Sequence, residues 1–125
     1  MNTLIGKARL NFSDESAMII FADQDVASKS IDVNVISDLG PGNNPLSIEI
    51  IGLMAQLGSK AGQELIRNLN SNKFRYSFDE ESDAMLISLN TAGASPITQH
   101  PYTTRFLFDG HDNLVSIELK KRASK

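Results

Sequence analysis

The residues able to do chemistry are few. There are two histidines and no cysteine in the 125 residues, so thiolate nucleophiles, disulfides, Fe–S clusters and cysteine-ligated zinc are excluded. His111 stands between Asp109 and Asp112, where an imidazole and two carboxylates could hold a metal or act as a base. A third ligand at customary spacing is missing, and Asp-Gly-His-Asp-Asn is also good turn chemistry, so a turn is expected. His100 lies beside Pro101 in a Gly- and Pro-containing stretch with no activating partner nearby in sequence. No Gly-x-Ser-x-Gly elbow, phosphate-cradling loop or His-Glu-x-x-His helix occurs. Gly40-Pro41-Gly42-Asn43-Asn44 is glycine-rich, but Pro41 lacks the N–H that a phosphate cradle uses. The chain is therefore expected to be neither an enzyme nor a carrier of a metal or cofactor.

Charge is the stronger signal. Carboxylates cluster at Asp14-Glu15 and at Asp79-Glu80-Glu81-Ser82-Asp83, while basic charge gathers in Lys120, Lys121, Arg122 and Lys125. Setting those four aside from the 12 basic residues leaves 8 against 15 acidic ones, a net of −7 for the rest of the chain. Such a body repels a phosphate backbone and attracts cationic surfaces. Asp79, Glu80, Glu81, Asp83, Asp14 and Glu15 are thus the candidate contacts with a basic protein partner, by steering and register. The rival is a single-stranded nucleic-acid binder, which would need Phe74, Tyr76 or Phe106 exposed beside Arg75 and Arg105.

The elements that must position these groups come from an internal similarity. Arg9, Phe12, Glu15 and Ser16 match Arg75, Phe78, Glu81 and Ser82 at constant spacing. One inserted residue, Asp83, then sets Ala17-Met18-Ile19-Ile20 against Ala84-Met85-Leu86-Ile87. In the same order, Ser47-Ile48-Glu49-Ile50 matches Ser116-Ile117-Glu118-Leu119. Two copies of a unit are implied, about residues 5–51 and 73–121, within one domain spanning 1–125. Period-2 alternation gives each copy four strands: about 7–13, 17–22, 31–37 and 46–51, then 73–78, 84–89, 103–108 and 114–119. Leu53, Met54, Leu57, Ala61, Leu65 and Leu69 form one helical stripe over about 53–69, weakened by Gly58 and Gly62, whose purpose would be close helix–sheet contact. Residues 45–51 are ambiguous, because Asn44-Pro45 could also open a single helix to Leu69; the repeat favours a strand. The expected fold is α+β and mostly antiparallel, with two pseudo-repeated four-stranded units joined by one helix.

The second copy resembles a family of short prokaryotic domains of unknown function. Its signature, Tyr/Phe-Asp-x-Glu-x-Asp-Ala-Leu-Tyr-Ile followed by a Gly- or Asn-containing turn and Val-x-Ile-Glu-Ile, is met by 78–87 and Val115-Ser116-Ile117-Glu118-Leu119. The usual Tyr is Leu86 here, and the first copy lacks a residue at the Asp83 position. That family has no assigned activity, so the resemblance implies fold alone. Four strands, a helix and four strands also looks like the Whirly arrangement of single-stranded nucleic-acid binders. An acidic immunity protein of bacterial contact-dependent inhibition systems shares that arrangement. The expectation is a cytoplasmic bacterial immunity or antitoxin protein that blocks a cognate toxin. Residues 1–10 lack the long apolar run of a signal peptide, and no membrane partner is expected.

Overall fold

Val33, Val35, Ser37 and Leu39 are buried while Asp32 and Asn34 face solvent, which is the alternation of a strand with one face in a core. The same pattern recurs along the chain in a computed structural model that describes residues 2–12, 16–41, 44–89, 95–96 and 98–121. The elements are β1 (Asn2–Ile5), β2 (Ala8–Phe12), β3 (Ser16–Ile20), β4 (Lys29–Leu39) and β5 (Ser47–Ile51). After them come α1 (Leu53–Leu57), α2 (Ser59–Ser71), β6 (Tyr76–Asp79), β7 (Ala84–Ser88), β8 (Thr98–Phe108) and β9 (Leu114–Lys121). The ambiguous 45–51 stretch is a strand.

Two separate four-stranded units do not form, which corrects the expected fold class. All nine strands make one antiparallel sheet in the order β1-β2-β3-β9-β8-β4-β5-β7-β6, curled into a half-barrel. The two copies exchange strands: β9 inserts between β3 and β8, and β7 pairs with β5. Exchanging β2–β5 for β6–β9 reverses the order of those eight strands and otherwise leaves it unchanged, so the sheet is pseudo-symmetric about the central β4–β8 pair. That pair runs from Lys29–Phe108 to Leu39–Thr98 without interruption. Two isolated four-stranded sheets would expose four edges, whereas the joined sheet exposes two, so fewer backbone donors and acceptors are left unpaired.

The expected alignment of the copies is also shifted by one residue. It set Ile19 against Leu86, but Ile19 pairs with Ile117 and is buried, while Leu86 pairs with Glu49 and is exposed. The residue in the place of Ile19 is Ile87, buried opposite Ile48. With a side-chain period of two, a slip of one turns every side chain to the other face.

The single helix expected over 53–69 is two. Gly58, at φ 88° and ψ 157°, breaks the path between α1 and α2. Gly62 serves helix–helix and not helix–sheet packing, because a Cβ there would overlap the Met54 sulfur. Leu53, Leu57, Leu65 and Leu69 are buried with Leu10, Ile48, Phe106 and Ile117, so the helices cover the sheet's inner face. β1 was not anticipated, and β8 begins at Thr98, within the expected loop. Pro101 lies beyond the last described β8–β9 pair, Tyr102–Lys121, and sits opposite Ile36 on β4. None of the described helices is long and apolar enough to cross a membrane.

Candidate protein-binding face

The acidic turn between β6 and β7 divides into structural and available carboxylates. Asp79 Oδ1 accepts the Glu81 N–H at 3.0 Å, a local Asx bond that shapes the turn. Glu80 and Glu81 project into solvent. Asp83 is committed elsewhere. It sits at φ 56°, and its carbonyl accepts the N–H groups of Gly52 (2.8 Å) and Leu53 (2.9 Å). Its two carboxylate oxygens accept those of Met54 (2.9 Å) and Ala55 (3.0 Å). One residue of the β6–β7 turn thereby satisfies the donors that open α1 and brings negative charge to its N-terminus. Asp83→Ala is expected to lose about 2 kcal/mol, from the cap and from an alanine held at positive φ. Glu81→Ala should stay within about 0.5 kcal/mol of the parent. Urea denaturation of both variants checks this. The other acidic pair, Asp14 and Glu15, lies outside the described residues.

Next to this turn, the outer face of the sheet carries exposed aliphatic side chains among its polar ones. Ala84 pairs with Asp79 on one side and Ile51 on the other, so the three share a face. One step along, Leu86 lies opposite Glu49, and Glu49 lies opposite Ile36. Ile51 is 56% exposed and Leu86 46%, and unlike Leu4 and Val26, which are also exposed, they lie on adjacent paired strands. Leu86, Ile51, Glu49 and Ile36 had not been singled out from the sequence. Their signal is the pairing of β4, β5 and β7, which the amino-acid order alone does not display.

The aromatic residues named for nucleic-acid stacking face inward. Phe74 and Phe106 are 6% and 1% exposed, and Phe74 packs against Phe21 with ring centroids 5.9 Å apart. Tyr76 is half-buried, and its hydroxyl donates to Asn70 Oδ1 at 2.9 Å. Arg105 is 3.8 Å from Asp32, and Lys120 is 3.6 Å from Glu118. The tail cations Arg122 and Lys125 lie outside the described residues.

Around His111 the structure forms a turn. Asp109 Oδ1 accepts the N–H groups of His111 (2.8 Å) and Asn113 (3.0 Å), and Asn113 Nδ2 donates to its other oxygen. Asp112 accepts from Lys29 and Lys60; these bonds and charges hold its carboxyl at about 2. Among the described residues no group of three or more His, Asp or Glu could hold a metal ion. Lys29 and Lys60 border a cavity of about 260 Å³ walled by Ile31, Leu57 and Phe108, and both pair with the one Asp112 carboxylate.

Comparison with protein-family models, with curated proteins and with solved structures finds no match.

Proposed function

We propose that this chain is a non-catalytic binding protein of the immunity or antitoxin type, which docks on a basic surface of a cognate bacterial toxin and occludes it. The observation that carries the reading is that exposed Ile51 and Leu86 share a sheet face with Asp79, beside the turn that holds Glu80 and Glu81. Aliphatic anchors flanked by charge are the anatomy of a protein interface: the anchors supply affinity once desolvated, and the charged rim speeds encounter and sets orientation. The likeness of the second copy to small prokaryotic domains agrees with this setting, whereas the strand arrangement shared with an immunity protein is not kept, because all nine strands form one sheet. A cytoplasmic location, where such a protein would meet an incoming toxin, belongs to the same reading. The nucleic-acid alternative draws no support from Phe74 and Phe106, which are core residues.

The test is a titration against the basic protein encoded beside this chain, together with growth protection when the two are co-expressed. Leu86→Lys is expected to weaken the complex about 30-fold, the effect of losing one interface anchor. Glu80→Lys combined with Glu81→Lys should slow association and flatten its salt dependence, leaving dissociation nearly unchanged. Absence of both complex and protection overturns the reading, as does tight, salt-sensitive binding of single-stranded oligonucleotides.

A further inference from the structure

Glu49 and Glu118 occupy matching places in the two halves of the sheet, each within a Ser-Ile-Glu stretch and half-buried on the outer face. Their surroundings differ. Glu118 has Lys120 two residues along its own strand, 3.6 Å away, and Arg105 directly opposite on β8. Around Glu49 the corresponding positions are Ile51, along β5, and Ile36, opposite on β4. Leu86 flanks it on β7. Among the described residues the Glu49 carboxylate has no hydrogen-bond or ion-pair partner. One half of the molecule thus supplies cations to its glutamate, and the other replaces them with aliphatic side chains.

The backbone differs as well. The β8–β9 ladder is continuous from Tyr102–Lys121 to Leu107–Ser116. Between β4 and β5 the ladder is reduced to the pair Ile36–Glu49. Beyond it the Gln56 side chain bridges the strands: Asn34 N–H donates to its Oε1 at 2.8 Å, and its Nε2 donates to the carbonyls of Asn34 (3.1 Å) and Ile51 (2.9 Å). The separation leaves a groove of about 200 Å³ lined by Asn34, Val35, Ile36, Glu49, Ile51 and Gln56.

We propose that this groove receives an arginine side chain of the cationic protein partner, a proposal that rests on the reading of function above. The guanidinium would pair with Glu49 while its aliphatic stem lies against Ile36 and Ile51. Arginine suits the site better than lysine, because its planar fork matches a carboxylate and its head is less strongly hydrated. Its methylenes gain from apolar walls. Glu80 and Glu81, at the end of the same face, attract such a residue toward the groove.

The test is an NMR titration of the isotope-labelled chain with N-acetyl-arginine amide, alongside the citrulline analogue, which has the same shape without the charge. Saturable shifts are expected at the backbone amides of Asn34, Ile36, Glu49 and Ile51 and at the Gln56 side-chain amide, with the arginine compound alone. Glu49→Gln should weaken binding about tenfold or more, the loss of one charge-assisted pair. Ile51→Lys installs the cation that Lys120 gives Glu118, and should abolish binding by filling the site from within. Glu118→Gln should change nothing, and the spectra themselves report that each variant is folded. Citrulline shifts equal to those of arginine, shifts confined to the 79–83 turn, indifference to Glu49→Gln, or no saturable shift each overturn the proposal. Arginine binding in the groove with no complex to the basic protein overturns the functional reading alone. A complex that Glu49→Gln leaves intact overturns the groove alone.

Discussion

Replacing Gly6 with Ala is expected to cost about 3 kcal/mol or more, since two penalties add. Gly6 turns the chain between β1 and β2 at φ 59°, where an L-residue loses about 1–2 kcal/mol. An added Cβ would also lie 2.5 Å from the Asn72 carbonyl oxygen, 2.8 Å from its Cα and 2.9 Å from its carbonyl carbon. These are main-chain atoms, so no rotamer change relieves the overlap. Nor can Asn72 move freely. Its backbone N–H and its Nδ2 both donate to the Asn68 carbonyl at the end of α2, and its Oδ1 accepts the Lys7 N–H at 3.0 Å. Relief requires the β1–β2 hairpin to lift from the end of α2, loosening Ala8 and Leu10 from the core; forced overpacking of this kind costs about 1–3 kcal/mol. Urea denaturation checks the value, with Gly52→Ala as the comparison. Gly52 is also left-handed, at φ 81° and ψ 53°, but an added Cβ there meets only the Ala55 Cβ at 3.5 Å, an ordinary contact. Equal losses in the two variants would show that the Asn72 contact carries no weight.

The same hairpin illustrates where the sequence is legible. Local pattern marks the strands, because alternation and turn residues are properties of short stretches, but over 45–51 it also allows a helix, and only the repeat favours the strand that forms β5. It did not reach the partners. The repeat implied two units, and nothing in the period-2 pattern tells β9 to pair with β3 instead of with a strand of its own copy. That choice is made by the uninterrupted β4–β8 ladder and by the edges it removes. The one-residue slip in aligning β3 with β7 has the same origin: Ile19, Leu86 and Ile87 are chemically alike, and only cross-strand partners decide which of them face the core. β1 was overlooked because Asn2-Thr3-Leu4-Ile5 does not alternate clearly, and its pairing with β2 gives it form.

For the candidate face the limits are similar. A run of carboxylates is plain in the order of residues, which marks Asp79, Glu80, Glu81 and Asp83. Sequence could not distinguish Asp83, which closes the start of α1 from a distant turn, from Glu80 and Glu81, which stay in solvent. Glu49 looked like any strand glutamate until the counterparts of Arg105 and Lys120 proved to be Ile36 and Ile51. The pseudo-symmetry of the sheet therefore supplies an internal comparison: a feature present in one half and altered in the other marks where the two halves differ.

Glu64→Ala is expected to lose about 3 kcal/mol at pH 7, because its carboxylate ties α2 to the start of β9. Its side chain is 12% exposed. Oε1 accepts Arg67 Nε at 2.9 Å and Oε2 accepts Arg67 Nη2 at 3.0 Å, a two-point grip within α2. Oε2 also accepts Asn68 Nδ2 at 2.9 Å and the Leu114 N–H at 2.6 Å. Leu114 is 2% exposed, so removing the acceptor strands a buried donor, at about 1–3 kcal/mol, besides losing bonds to a charged group. Burial alone would raise the Glu64 pKa. The hydrogen bonds from Arg67, Leu114 and Asn68 and the Arg67 charge outweigh it and hold the carboxyl below its ordinary 4.5. The sign follows from that direction. The unfolded chain binds a proton at higher pH than the folded one does, so the contribution of Glu64 is complete above about 4.5. It is lost as pH falls through the lower folded value. The stability gap between the parent and Glu64→Gln, measured by urea denaturation, should therefore be constant from pH 7 down to about 5.5 and narrow below 4.5. A gap that widens on acidification would mean that the protonated form is the better acceptor for Leu114, and the assignment of this carboxylate as the clamp on β9 would fall with it.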